Sequence, residues 1–294
     1  MMKQYKRLNY SEMKRRILNL QQLSKRNAEP GEYLPILKLM FTKMPLHGTT
    51  IKNDFIYHAR MNLNGKLFDN LGELKYPLKE DIKAKGRLND IGENILYVAL
   101  GELETLIEVA IQFNKLFTIS TIRHNLKEGI FIPLGIIDRE YSVIPQSKRE
   151  ELLITYLNSE ITKIVSNPIE YNSTIAISHF ILNQPVKNYK LGRLAGIIYP
   201  SVKSKTMTNV RTNNIAIPPE IFDLCFVIER VNVYCLTYES THYQLNEVNK
   251  VIQINSDGTL KWFYDFAEMK DRISKGLLVE RGTCNNLIGV EKYI

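Results

Sequence analysis

Polar and apolar positions follow helical periods first and strand periods later. Residues 8–27 place Tyr10, Met13, Ile17 and Leu20 at i, i+3, i+7 and i+10, one face of an α-helix, with arginines and lysines on the other flanks. Asn27-Ala28-Glu29-Pro30-Gly31-Glu32 reads as a break, and Tyr33–Lys43 as a short second helix. From about Ile51 the pattern shortens. Phe55–Met61 alternates like a strand, Lys75–Lys85 is a polar loop around Pro77, and Asn94–Ala99 is strand-like. Gly101–Asn114 predicts a helix with Leu103, Leu106, Ile107, Ala110 and Ile111 on one side; Leu116–Ile122 and Ile130–Ile137 predict strands. Ser147–Ser166 and Ser173–Asn183 predict helices, each opened by a serine suited to capping. Gly196–Pro200 and Asn214–Ile217 are short β-rich runs. The last third is dominated by β signals at Leu224–Glu229, Val231–Tyr238, Tyr243–Ile254 and Leu260–Tyr264, with Asn255-Ser256-Asp257-Gly258 as a hairpin turn.

Helices and strands mixed without regular βαβ alternation predict an α+β fold. Three regions follow: a basic N-terminal helical extension over 1–50, a main domain over 51–240, and a C-terminal β-rich extension over 241–294 packed on the same body. At 294 residues, 44% hydrophobic and 24% charged, the composition is that of a soluble globular protein. No apolar run nears the roughly 18 residues that span a bilayer, and no secretory signal opens the chain. Cys225, Cys235 and Cys284 form no CxxC pair, so reduced thiols in a cytoplasm are expected.

The net charge of +8 suggests nucleic acid until it is mapped, because residues 1–27 alone carry eight Lys/Arg against Glu12. The rest is close to balanced. Contact with nucleic acid is therefore expected to be indirect or weak. The basic helix is either a docked element with a solvated face or an arm for a partner.

Motifs for dinucleotide-binding glycine loops, P-loops, zinc proteases and serine hydrolases are absent. The five histidines (His47, His58, His124, His179 and His242) have no metal-ligand spacing, so no metal is expected. His179, in the apolar run Thr174–Leu182, reads as a satisfied, partly buried histidine; Cys225 and Cys235 read as small core residues.

Four polar residues stand in apolar company: Arg87 in Gly86-Arg87-Leu88-Asn89, Tyr97 in Leu96-Tyr97-Val98-Ala99, Glu108 in Leu106-Ile107-Glu108-Val109-Ala110, and Ser201 after Gly196-Ile197-Ile198-Tyr199-Pro200. Buried charge is costly unless paired, so such residues often mark a site. Each also has a plain reading. Glu104, Glu108 and Gln112 fit a solvated helix stripe, Arg87 a surface ion pair, Tyr97 a core aromatic, and Ser201 a turn.

In order and spacing these elements resemble the RES domain family. A GR-x-N element, a tyrosine ten residues after the arginine (87 to 97) and a glutamate eleven after that (97 to 108) are followed by G-I-x-Y-P-S and N-x-A, here Asn214-Ile215-Ala216. The resemblance spans roughly residues 55–235. His58 stands where the family often has arginine, with Arg60 nearby. Ala195 replaces the usual acid, and the stretch from Ser201 to Asn214 is longer than expected and lacks glycine.

The resemblance implies an ADP-ribosyltransferase-like mixed core of short twisted sheets with helices, and an NAD+-degrading toxin of a bacterial toxin–antitoxin pair. It implies Glu108, Arg87 and Tyr97 as catalytic residues, and Arg87, Tyr97, Ser201, Arg60 and Asn214 as NAD+-binding residues. NAD+ is then substrate rather than cofactor. A cognate antitoxin is the expected partner, and homo-oligomers are possible. Cleaving the nicotinamide–ribose bond makes an oxocarbenium-like sugar, which a carboxylate such as Glu108 stabilises and a guanidinium such as Arg87 anchors by phosphate. Water or phosphate as acceptor gives hydrolysis or phosphorolysis. The alternatives are a protein ADP-ribosyltransferase toxin and a non-enzymatic binding module using the basic helix.

Overall fold

The computed structural model describes residues 8–42, 48–50, 55–108, 115–125, 133–137, 145, 147–185, 193–203, 212–239, 242–275 and 280–283. The first helix, α1 (Tyr10–Lys25), starts where its sequence can close a capping box. Asn9 Oδ1 accepts from Glu12 N at 2.9 Å, and Glu12 Oε2 accepts from Asn9 N at 2.7 Å. Of its expected stripe, Met13, Ile17 and Leu20 are buried, while Tyr10 in the first turn is exposed. The expected break holds through Asn27–Glu29, with Asn27 at φ +53, but the second helix starts earlier than expected: α2 (Pro30–Met40) opens on Pro30, whose fixed φ and missing N–H suit the first helical position.

The remaining elements are β1 (Gly48–Thr50), β2 (Phe55–Met61), β3 (Leu96–Ala99), α3 (Glu102–Glu108), β4 (Leu116–His124), β5 (Pro133–Ile136), α4 (Lys148–Ile161) and α5 (Asn172–Leu182). They continue with β6 (Gly196–Pro200), β7 (Asn213–Ile217), α6 (Pro219–Cys225), β8 (Phe226–Glu239), β9 (His242–Ile254), β10 (Leu260–Trp262), α7 (Phe266–Ser274) and β11 (Glu280–Thr283). The fold is mixed α+β. Instead of separate short sheets, the strands join one sheet in the order β1-β5-β6-β7-β3-β2-β4-β8-β9-β10, with β11 on β9. Every pairing is antiparallel except β5 with β6, and that parallel pair encloses α4 and α5 as its crossover.

Ser147 caps α4 as expected, whereas Ser173 caps nothing: its hydroxyl donates to Glu160 at 2.6 Å from within α5. The segment Leu224–Glu229, expected as strand, splits between the end of α6 and the start of β8, which then runs unbroken. The hairpin turn forms between β9 and β10, with Gly258 at φ +84. Neither α7, capped by Asp265, nor β11 was expected. Cys225 and Cys235 are buried free thiols; Cys284 and His47 lie outside the described residues.

Two layers cover the sheet. On one face Ile197, Tyr199 and Ala216 pack against α1, α2, α4 and α5; on the other Leu96, Val98, Ile198 and Ile215 pack against Ile221, Phe222 and Cys225 of α6. Strands β6 and β7 are buried on both faces, which is why their sequences are continuous apolar runs. The basic N-terminal helix is thus a wall of the main core. No helix among the described residues is long and apolar enough to cross a membrane.

The sheet has one weak seam. β2 pairs with β4 along its whole length, Phe55↔Arg123 to Met61↔Phe117, and β3 pairs with β7 from Leu96↔Ile217 to Ala99↔Asn214. Between β2 and β3 only Tyr57↔Ala99 is in register. The two halves part there, and a cavity opens on the helical side.

Candidate active site

The cavity measures about 320 Å³, and Arg87, Tyr97, Glu108 and Asn214 line it together with His58, Thr105, Tyr171, Tyr199 and Lys203. Its back wall follows from strand register. Tyr199 and Ala99 both flank Asn214, and Tyr97 lies beside Ala216, so alternate residues of β3, β6 and β7 face the same space. The Tyr97 and Tyr199 rings meet edge to face, 6.4 Å between centroids. Asn214 is buried, its side chain reaching the Tyr199 phenol, yet its Oδ1 has no hydrogen-bond partner. A bound donor would satisfy it.

The Gly86–Asn89 turn explains its own sequence. Gly86 N donates to Asn89 O at 2.9 Å, and a Cβ on Gly86 would stand 2.2 Å from Asn89 Oδ1. Only glycine leaves room for that amide, which accepts the Tyr97 hydroxyl at 2.8 Å. Tyr97 in turn accepts from Leu88 N at 3.0 Å. Its hydroxyl is therefore committed to the turn, and what Tyr97 offers the cavity is its ring. Burial holds the phenol pKa well above the usual tyrosine range, so the proton stays on.

Arg87 is anchored where α4 ends. Its Nη1 donates to the carbonyls of Ile161 at 2.6 Å and Lys163 at 3.0 Å, groups that a helix C-terminus leaves without internal partners. The guanidinium lies over the Tyr171 ring, 5.2 Å from its centroid, and the Arg87 carbonyl accepts from Thr174 Oγ1. No carboxylate among the described residues pairs with it, so the expected alternative of a surface ion pair does not hold.

Glu108 ends the described part of α3. Its Oε1 accepts from Ser201 Oγ, and its main-chain oxygen from Lys203 Nζ. Ser201 is buried, with its backbone N bonded to Thr212 O at 2.9 Å. It therefore holds the carboxylate and does not line the cavity. The solvated stripe does not form either: Glu104 folds back on Gly101 with its carboxylate partly buried, burial raising its pKa. Gln112 lies outside the described residues.

His58 lines the cavity and Arg60 does not. His58 Nδ1 sits 2.8 Å from the Tyr97 carbonyl, which fixes the proton on Nδ1 and leaves Nε2 as an acceptor for Arg60 Nε at 3.5 Å. Burial, helped by the Arg60 charge, lowers the His58 pKa from 6.5 to about 4. Arg60 donates onward to Lys75 O at 2.8 Å, so it reaches the cavity only through His58. Ala195 is fully buried among apolar side chains, no place for an acid. His179 pairs with Glu93 at 2.7 Å and is only partly buried, as expected, away from the cavity.

The spacing of Arg87, Tyr97, Glu108 and Asn214 brings four distant segments to one cavity. Tyr171, Tyr199, Thr105 and Lys203 complete it without having been expected. Only the G-I-x-Y-P-S run hinted at Tyr199; Tyr171, in a capped turn after Pro168, carries no sequence signal. Among the described residues no group of three or more His, Cys, Asp or Glu gathers as a metal site. Neither a protein-family model nor a curated protein matches this chain.

Proposed function

We propose that the cavity binds the nicotinamide–ribose end of NAD+ and cleaves the bond between them, in an ADP-ribosyltransferase-like fold acting as a cytoplasmic toxin with a cognate antitoxin. One observation carries the reading. Residues from 87 to 214 picked by their order and spacing, Arg87, Tyr97, Glu108 and Asn214, line one cavity, with Ser201 holding the glutamate.

The chemistry uses only side chains. The C1′–N bond breaks with its electron pair leaving on nicotinamide, which departs neutral, and positive charge spreads over C1′ and the ribose ring oxygen. Glu108, oriented by Ser201, faces that charge or holds a ribose hydroxyl. Tyr97 and Tyr199 offer aromatic walls to the nicotinamide ring. Arg87 and Lys203 supply positive charge for the pyrophosphate, Arg87 with the donors that α4 leaves unused. Water then adds to C1′ and sheds a proton, giving ADP-ribose; phosphate in its place gives the 1-phosphate. The cavity is at the lower end of ligand-pocket sizes, which suits half of a dinucleotide with the adenosine outside.

The test is nicotinamide release by the full chain from NAD+, with and without phosphate, read by chromatography. Glu108→Gln, isosteric and uncharged, is expected to lose at least ~100-fold in turnover while unfolding at the wild-type temperature. No release by folded wild-type protein, or unchanged release by Glu108→Gln, overturns the reading.

A further inference from the structure

A second, larger cavity of about 840 Å³ opens between α7 and the turn after β2, with no role in the chemistry above. Its apolar lining comes from five elements: Met61 from β2, Leu63 from the turn, Leu116 from β4, Cys235 from β8 and Ile273 from α7. Leu63 is 74% exposed at its edge, while Cys235 is 7% exposed. Lys115 and Lys270 also line it, no carboxylate does, and neither lysine has an ion-pair partner among the described residues. Lys270 Nζ lies over the Phe266 ring, 4.8 Å from its centroid, so aromatic π density and no carboxylate faces it. An apolar hollow bearing two ammoniums and no anion is complementary to one kind of small molecule, a long apolar body ending in a single negative charge.

We propose that this cavity binds a medium-chain aliphatic carboxylate, its chain against Leu63, Leu116, Cys235 and Ile273 and its headgroup at Lys115 and Lys270. A neutral alkane leaves both ammoniums unused, and an alcohol offers them a hydrogen-bond acceptor without the charge. A strongly polar anion such as a nucleotide gains nothing from the apolar side chains and loses its own hydration against them. Burial raises the Cys235 thiol pKa, so that side chain is an uncharged, apolar surface.

The chain carries its own reporter. Its single tryptophan, Trp262, packs on the cluster that contains Cys235, Val233, Val248 and Met269. The experiment titrates the full chain with decanoate while following Trp262 emission, and repeats it with decan-1-ol. A Lys115→Glu/Lys270→Glu double variant is titrated in parallel. Both lysines are on the surface, so reversal leaves the fold intact, checked by circular dichroism. Expected are saturable decanoate binding, decanol weaker by about tenfold or more, and a double variant that loses about tenfold for decanoate and nothing for decanol. Equal affinity for acid and alcohol, an unaffected double variant, non-saturable change, or competition by NAD+ each overturns the proposal. None of these results bears on nicotinamide release.

Discussion

Arg87 is held by α4 carbonyls at its side chain, by Thr174 at its main chain and by the Tyr171 ring beneath it. If it anchors phosphate, removing the ring should loosen that hold without touching the bond being broken. Tyr171→Ala is expected to raise KM for NAD+ about tenfold with a smaller effect on kcat, and Tyr171→Phe, which keeps the ring, to behave as wild type. Equal damage in both variants would assign Tyr171 to its hydroxyl instead. His58 predicts a pH effect whose sign is fixed. Its pKa is lower in the folded chain, so the unfolded chain takes up the proton first as pH falls from 6.5 towards about 4, and stability drops across that window. On the order of 2 kcal/mol should be lost by pH 5 through this group. Urea midpoints at pH 7 and 5 should show a smaller drop for His58→Gln than for wild type. The residues of the site were legible where polarity and apolar company coincided, as at Arg87 and Glu108. Lys203 and Tyr171 were not, since a lysine in a polar stretch and a tyrosine in a turn look like surface, and only the fold puts exposed Lys203 and half-buried Tyr171 at the cavity.

At the scale of elements, the Gly86–Asn89 turn couples backbone shape to the site. Gly86→Ala puts a methyl into the Asn89 amide, so the Asn89–Tyr97 hydrogen bond must break or the turn must shift. A loss of about 1–3 kcal/mol is expected in denaturant unfolding, with Arg87 displaced and KM raised; wild-type behaviour would show that the turn has slack. Elements were legible where one period ruled. β2 and β6 match their expected bounds because alternation or a fully apolar run leaves no other choice, and α1 matches because its stripe and capping box agree. The start of α2 and all of α6 were misread through their prolines, which open helices here. α7 hid behind the run of β signals that precedes it, although Asp265 and the spacing of Phe266, Met269 and Ile273 mark it in retrospect. Strand pairing across the whole sheet was beyond reach, since register depends on neighbours far along the chain.

At the scale of the molecule, α1 is structural. Met13 and Leu20 are fully buried and Ile17 nearly so, in the same core as Tyr199 of the cavity wall. Deleting residues 1–27 removes three such side chains, about 5 kcal/mol of apolar burial, a large share of a domain's net stability. The truncated chain should be insoluble or unfold at much lower temperature; a truncation with wild-type melting would restore the idea of a detachable basic arm. A fair test of that arm therefore reverses exposed charges such as Lys14 and Arg15 and leaves the helix in place.

The order of the sheet has a further consequence, for a chain still being made. β3 has β7 as its long-term neighbour and only one pair with β2, so Arg87, Tyr97 and Glu108 leave the ribosome well before the wall that faces them. Until Ser201 and Asn214 have emerged, the glutamate lacks its hydroxyl partner and the cavity lacks a side. An interrupted translation product carrying only the first half of the motif therefore has no closed cavity, and if the pocket is catalytic such a product is expected to be inert.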